Sequence, residues 1–329
     1  MTILVTGGCG FIGSNFIRRH LSAYNELVVN LDSLTYAGNV ENLEKEHHNE
    51  NYVFLNGDIG DSALVRSTLA WLQPRAIINF AAESHVDNSI SSAMPFVMTN
   101  VVGTVNLLEC VRQSKQDIKF IHVSTDEVYG SLSPTDPAFT ELTRYDPRSP
   151  YSASKASSDH FVRAYHHTYG MKINITNCSN NYGAYQHPEK FIPTVIRKAL
   201  ANEQIPIYGS GTNIRDWIHV NDHCDGIMGV IEKGENGHTY NIGGDCQVRN
   251  IDLAAKIIDI LGVSRNLLSF VTDRKGHDFR YDIDSSKMHK DIGWTPAVDF
   301  ERGLKETVRW YDNNMGWVRR CLTRRLESF

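Results

Sequence analysis

Tyr151 and Lys155, in the run Pro150-Tyr151-Ser152-Ala153-Ser154-Lys155, stand four residues apart, the spacing that puts two side chains on one face of a helix. A phenol in water titrates at about 10, and an ammonium beside it favours the phenolate, so the pair could act as a base near neutral pH. A second run, Ser124-Thr125-Asp126-Glu127-Val128-Tyr129-Gly130, adds a hydroxyl and two adjacent carboxyls. It follows a strand-like stretch, at the carboxyl end where open parallel sheets bind their ligands. A third, Thr6-Gly7-Gly8-Cys9-Gly10-Phe11-Ile12-Gly13, spaces Gly7, Gly10 and Gly13 evenly after the first strand-like stretch. Glycines there permit a tight turn and bring backbone amides under a pyrophosphate at a helix N-terminus, with Phe11 and Ile12 opening the helix. Asp32, about 20 residues further on, is placed to accept hydrogen bonds from a ribose hydroxyl. Its carboxylate would repel a 2′-phosphate, which points to NAD rather than NADP. A nicotinamide cation would then add to the pull of the ammonium on Tyr151.

The elements that must position these groups are those of an α/β, Rossmann-type doubly wound parallel sheet. Strand-like runs at 2–6, 26–31, 51–55, 75–80, 118–123 and 172–176 alternate with helix-like stretches near 11–23, 61–72, 93–114 and 151–169, the pattern of βα units. Ser91 and Ser92 are the expected caps of the third helix, with Pro95 in its first turn. Residues 1–176 are expected to form the NAD-binding domain, with Ser33, Leu34 and Thr35 among its cofactor-binding residues and Asp58-Ile59 bracketing the adenine. Past 177 the alternation breaks into stretches at 189–203, 221–232, 250–262, 284–291 and 300–314, joined by Gly- and Pro-containing turns. Residues 177–329 are expected to form a smaller substrate-binding lobe, some segments of which return to the first domain.

Composition narrows the functional classes. A chain of 329 residues with 41% hydrophobic content can bury a large core. A net charge of −5 supplies no positive field for nucleic acid. Six cysteines (Cys9, Cys110, Cys178, Cys224, Cys246, Cys321) show neither a CxxC pair nor a His/Cys metal spacing, so no metal is expected and a reducing cytoplasm fits. No apolar run approaches the roughly 18 to 20 residues of a membrane span. The tail carries Arg319, Arg320, Arg324 and Arg325 and reads as a solvated helix or a subunit contact.

TGGCGFIG, the YSASK run and the order of elements resemble the extended short-chain dehydrogenase/reductase family, and STDEVYG resembles its dTDP-glucose 4,6-dehydratases. The resemblance covers nearly the whole chain. It implies Thr125, Tyr151 and Lys155 around C4 of a hexose, Asp126 as the acid at C6 and Glu127 as the base at C5. Epimerases of the family carry small or hydroxyl residues where this chain has the carboxyl pair. As chemistry the pair reads as one ionised and one protonated group, and the residues alone permit either assignment. The family further implies Phe80, Ala81, Ala82, Ser84, His85, Thr99 and Asn181 beside the nicotinamide and the sugar. Asn180, Glu189, Lys190 and Phe191 are similar to its nucleotide-sugar loop. Pro206, Ile207, Tyr208, Arg215, Asn250, Arg274, His277 and Tyr281 look like the parts that hold the base and diphosphate, where arginine can pair bidentately with phosphate oxygens. The implied substrate is dTDP-glucose, with UDP-glucose or UDP-N-acetylglucosamine as alternatives, and the implied assembly is a homodimer through helices 93–114 and 151–169. A 4-epimerase is the rival enzyme. A catalytically silent dinucleotide sensor would have no need of Tyr151, Lys155 and both carboxyls. Asn177 stands where the family pattern has arginine, and Ala184 and Lys275 where it has proline, which bears on the exact nucleotide or sugar.

Overall fold

The computed structural model describes residues 1–327, with side chains to residue 323, so the side chains of Arg324 and Arg325 lie outside the described residues. β1 (Thr2–Thr6), β2 (Leu27–Asp32), β3 (Tyr52–Asn56), β4 (Ala76–Asn79), β5 (Lys119–Thr125) and β6 (Ile173–Cys178) fall within two residues of the six strand-like runs. β7 (Asn180–Tyr182), β8 (Ile205–Tyr208) and β9 (Ile214–His219) lie apart from them, and β10 (Thr239–Ile242) then pairs with β6. The result is a seven-stranded sheet in the order β10-β6-β5-β4-β1-β2-β3, parallel at every pairing. Its strands are buried on both faces: Ile3 and Val5 point into one core cluster, and Leu4 between them points into another. Burial on both faces is the arrangement expected of a parallel sheet covered by helices.

Helices cover both faces. α1 (Phe11–Ala23) packs on one side, while α2 (Ser62–Leu72) lies on the other. α3 (Val86–Ser91) is a short helix that the sequence pattern does not announce. α4 (Met94–Phe96), a π-helical turn over Val97–Gly103 and α5 (Thr104–Ser114) run on as one rod. Its N-cap is Ala93, without a side-chain bond. Ser91 instead ends α3, its hydroxyl donating to Asp87 O, so Ser91 and Ser92 do not cap the rod. As a continuous helix of 21 residues with mean hydropathy 1.3, the rod is long and apolar enough to cross a bilayer, whereas the sequence suggested no such run. Polar Asn100 and Asn106 interrupt the run, and both are hydrogen-bonded inside the protein, which fits a core helix. α6 (Pro150–Tyr169) begins with Pro150 in its first turn and a reciprocal capping box between Ser149 and Ser152. It ends at Gly170 in the left-handed region (φ 69°).

A second core belongs to the smaller lobe. α7 (Phe191–Leu200), α9 (Asn250–Leu261) and α10 (Phe300–Asn313) bury Ile192, Ile196, Ile257, Leu304 and Val308 with Trp217 of β9. α8 (Val220–Lys233), between α7 and α9 in the chain, returns to pack on α1. β11 (Gln247–Arg249) joins β9 and β7 in a three-stranded sheet, and β12 (Leu268–Val271) pairs with β8. α11 (Met315–Glu327) closes the described chain. The path from β10 to β11 turns against β9 so closely that a Cβ on Gly244 would lie 1.9 Å from the Trp217 carbonyl oxygen. Gly244→Ala is therefore expected to cost about 1 to 3 kcal/mol, the range for forced overpacking. A denaturant midpoint equal to that of the parent protein would show that the backbone there yields freely.

Candidate active site

Strand order reverses between β1 and its neighbours β2 and β4, and the loops leaving the carboxyl ends of β1 and β4 border the crevice this creates. The cleft is lined from end to end by the glycine turn, the residues after β2, β3, β4 and β5, the start of α6 and the loop from Cys178 to Lys190. Gly7 has φ 68°, and a Cβ there would sit 2.6 Å from Ala81 N; a Cβ on Gly13 would sit 2.5 Å from Gly7 O. Neither place accepts a side chain, so the turn presents bare backbone. Gly10 caps α1 without any side-chain bond, which leaves the helix N-terminus open toward an anion.

Asp32, the last residue of β2, lies on the cleft wall beside the glycine turn. Its two carboxylate oxygens accept from Cys9 N and Leu34 N, each at 2.8 Å. Burial pushes this carboxyl above its usual range, and those two amides pull it back. Ser33, Thr35, Asp58 and Ile59 line the same end. Leu34 does not reach the cleft wall; it stands at φ 53° with its side chain outward. One Asp58 oxygen is already engaged by Gly60 N at 2.6 Å. These features fit a dinucleotide: a pyrophosphate cradle that a Cβ would fill, followed by a buried acceptor for a ribose.

At the other end, β5 delivers Thr125 and passes into a single 3₁₀ turn, Asp126–Tyr129. Thr125 Oγ1 accepts from Glu127 N and lies 3.3 Å from Asp126 Oδ1. Gly130, at φ 92°, closes the turn where a Cβ would meet Asp146 O at 2.6 Å. Burial pushes the Asp126 carboxyl well above the usual range; Glu127 and Asp216 push it further, while Arg215 and the Thr125 hydroxyl pull it back. Its Oδ2 has no hydrogen-bond partner among the described residues. Burial also raises Glu127, but Arg274, Arg215 and Lys190 all oppose that shift. The neighbours thus face unlike surroundings: Asp126 favours its neutral form, while three cations favour the ionised form of Glu127.

Tyr151 and Lys155 project from the first turns of α6 and are both buried. Lys155 Nζ donates to Val123 O at 2.8 Å. Burial drives the Tyr151 phenol well above its ordinary value, with Glu127 and Cys178 adding to the shift. Its use as a base therefore depends on positive charge arriving beside it. Asn100, in the π turn, holds the floor of this region: its side chain bonds Glu83 N at 2.9 Å, Glu83 O at 3.0 Å and Ser154 Oγ at 2.8 Å. Such a wide turn inside a helix often marks a functional site.

Of the residues singled out from sequence, Phe80, Ala81, Ala82, Ser84, Thr99, Thr125, Asp126, Glu127, Tyr151, Lys155, Asn180, Asn181, Glu189 and Lys190 share the cleft wall. Lys190 bridges its two sides by donating to Ser84 O at 2.8 Å. Apart from the glycine-turn and Asp32-end residues already placed on it, the others stand back from that wall. His85 caps α3, Phe191 begins α7 and Asn250 begins α9. Ile207 is buried in the second core between Pro206 and exposed Tyr208. Arg215 is fastened to Ile214 O, Phe279 O and Asp278 O and lies over the Tyr281 ring. Arg274 reaches Asp87 at 3.8 Å, and His277 is bonded to Asp273. The sequence reading missed Ala37, Gly38, Gly57, Val123, Gln186 and His187 on the wall. Gly57 carried a usable signal as a glycine directly after a strand; the rest have none. Asn177, in place of the family arginine, donates to Tyr129 and Tyr145 at 2.8 and 3.2 Å.

Residues 4–307 match the family model described as GDP-mannose 4,6 dehydratase. The chain is 52% identical to a dTDP-glucose 4,6-dehydratase of Xanthomonas campestris pv. campestris, over 98% of this chain and 96% of that one. It is 47% identical to another of Escherichia coli at the same coverage. A crystal structure of the dTDP-glucose 4,6-dehydratase of Streptomyces venezuelae with NAD bound superposes with a TM-score of 0.95 at 46% identity, over 98% of this chain and 100% of that one. A UDP-glucose 4-epimerase of Thermotoga maritima has a TM-score of 0.89 at only 28% identity, covering 96% and 100% of the two chains. The scaffold is thus common to dehydratases and epimerases, and the chain belongs to the NAD-dependent nucleotide-sugar 4,6-dehydratases of the extended short-chain dehydrogenase/reductase family.

Proposed function

We propose that this chain converts dTDP-glucose to dTDP-4-keto-6-deoxyglucose, a hydro-lyase reaction with NAD recycled in each turnover. The observation that carries the reading is the adjacent pair Asp126 and Glu127 at the carboxyl end of β5, both raised by burial, with Arg274 and Lys190 opposing the shift at Glu127 while Glu127 and Asp216 add to it at Asp126. An epimerase on this scaffold has no step that needs such a pair. High identity to dTDP-glucose 4,6-dehydratases over almost the full chain supports the substrate.

The glycine turn, Asp32 and the wall from Phe80 to Ala82 would hold NAD. Bound there, it supplies an acceptor for the C4 hydride and a donor that returns that hydride to C6. Tyr151 takes the proton of the C4 hydroxyl, with Thr125 hydrogen-bonding the C4 oxygen and Lys155 supplying positive charge. Once C4 is a ketone, the C5 hydrogen is acidic. Glu127 removes that proton while Asp126 protonates the departing C6 hydroxyl, and water leaves. Glu127 then returns a proton to C5. Lys190, Arg215 and Arg274 supply the positive charge that faces Glu127 and an anionic substrate.

The quaternary and cellular parts of the reading rest on separate features. Ile90, Met94, Val97, Met98, Val102 and Phe161 form an exposed apolar stripe from α3 to α6, which supports a homodimer through those helices. The six cysteines are all free, in keeping with a reducing cytoplasm.

Incubation with dTDP-glucose in deuterated water, followed by mass spectrometry, should show loss of water with one deuterium at C5. Unchanged mass would send the substrate assignment to UDP-glucose or UDP-N-acetylglucosamine. Glu127→Gln should cut dehydration by at least about a hundredfold, the low end of general-base effects, while sparing cofactor binding; undiminished turnover would remove Glu127 from the C5 step. Because Asp126 must carry a proton, and its carboxyl is raised by burial, kcat should fall as pH rises through that raised value. Asp126→Asn should abolish this alkaline limb together with most activity. Asp32→Asn should weaken NAD about tenfold, roughly 1.4 kcal/mol, as expected on losing one charge-assisted bond. Calorimetric titration with equal affinity would refute the ribose role.

A further inference from the structure

Helix α6 presents Tyr151, Lys155 and Asp159 at successive turns of one face, and all three are buried. The Val123 carbonyl orients the Lys155 ammonium but brings it no charge, and an ammonium buried without a counter-ion gives up its proton. Asp159, one turn further along the same face, places a negative charge beside it that favours the ammonium. Its Oδ2 accepts from Ser124 Oγ at 2.9 Å and Tyr145 OH at 2.8 Å, and its Oδ1 lies 3.4 Å from His122 Nε2. The two bonds at Oδ2 fix the carboxylate and favour its charged form.

His122 does not cancel that charge. Its Nδ1 faces Asn79 Nδ2 at 3.2 Å, and Asn79 Oδ1 is committed to the Thr6 hydroxyl. The amide therefore donates, and the imidazole proton sits on Nε2, where Ser158 Oγ accepts it at 3.1 Å, with Asp159 Oδ1 nearby at 3.4 Å. Burial lowers this histidine to about 4, so it is neutral at pH 7. Burial works against ionisation of Asp159, but the His122 bond, Lys155 and Arg163 outweigh it and hold the carboxyl below its usual range. Arg163, half-buried one turn further along α6, is tied to Tyr145 OH at 2.7 Å. The other ionisable groups facing this row are Tyr129, Cys178 of β6, and Asp126 and Glu127 near Tyr151.

We propose that Asp159 is a positioning residue for the reaction, the buried counter-charge that keeps Lys155 an ammonium and through it lets Tyr151 act as a base. This rests on the reading of Tyr151 given above. The effect runs through Lys155 because of distance. Eight helical residues separate Asp159 from Tyr151, about 12 Å along the axis, against about 6 Å from either one to Lys155. Direct repulsion of a phenolate by Asp159 is correspondingly the weaker influence.

The test is Asp159→Asn in the NAD-loaded enzyme, because asparagine keeps an acceptor for Ser124 or Tyr145 while removing the charge. The acid limb of kcat/KM against pH, which follows deprotonation of Tyr151, should move upward by about one unit, with a fall of about tenfold below the limb and little change in KM. Asp159→Glu should restore part of the shift. A limb that stays in place while activity falls equally at every pH would overturn the proposal and leave Asp159 a structural residue. If Asp159→Asn does not fold, Asp159→Asn with Arg163→Gln removes opposite charges together and should show the same upward shift; no shift there overturns the proposal too. Tyr151→Phe separates the two levels of failure. If that variant still turns over dTDP-glucose, the base assignment is wrong, whereas if it is inactive and the limb of Asp159→Asn has not moved, the role of Asp159 alone falls.

Discussion

Removing a carboxylate or an ammonium from water costs several kcal/mol, and the cleft at the carboxyl end of β5 does so for Asp126, Glu127, Tyr151, Lys155 and Asp159 together. No single ion pair offsets that cost. It is spread over Ser124, Tyr145 and His122 around Asp159, over Val123 O at Lys155, and over Arg215, Arg274 and Lys190 facing Glu127. Much of the remaining architecture can be understood as what holds these partners still. A polar belt from Thr6 through Asn79 to His122 and Asp159 crosses the sheet beneath the site, joining β1, β4, β5 and α6 in one network. Such a network is costly if any member is lost.

Burial raises both neighbouring carboxyls, and the charges around them differ. Asp126 meets Glu127 and Asp216, and Glu127 meets three cations. Arg274 is not rigidly committed in this respect: it reaches Asp87 of α3 at 3.8 Å, a long contact that an anionic substrate could replace. Arg215, by contrast, is fixed by three carbonyls and an aromatic face. One cation is set and the other adjustable, so the charge felt by Glu127 depends partly on what fills the cleft.

What the sequence made legible follows from how local each signal is. The glycine turn, Asp32 and the Tyr151/Lys155 pair depend on backbone geometry within a few residues, and six of the seven sheet strands are short runs rich in Ile, Leu, Val and Phe. The seventh, β10, is short and arrives from beyond residue 177; pairing at that distance leaves no trace in local pattern. The π turn at Val97–Gly103 was read as ordinary helix because its cause is tertiary. Asn100 is held by the Glu83 backbone and Ser154, neither of which is near in sequence. Ser91 and Ser92 looked like caps because serine suits that place, but α3 took Ser91 first. Residues expected around base and diphosphate lie on separate elements of the smaller lobe, and only family resemblance could assemble that set.

The adenosine end shows why the smaller lobe matters to the first. The loop after Asp32 continues into a 3₁₀ turn, Val40–Leu43, whose Asn42 donates to Cys9 O at 2.9 Å and accepts from Trp317 Nε1 at 3.0 Å. Arg320 pairs with Glu41 on the same turn. Trp317 packs edge-to-face with Trp310 and Tyr185, and the guanidinium of Arg18, from α1, lies 3.9 Å over the Tyr185 ring. Two buried bonds, one surface ion pair and this aromatic group must give way before the loop can swing off the ribose site, since Cys9 N itself is bonded to Asp32. An enzyme that reduces and reoxidises its cofactor within one turnover needs slow cofactor release. In this chain the C-terminal helix braces the loop beside the glycine turn, so the smaller lobe helps fix the wall of the first.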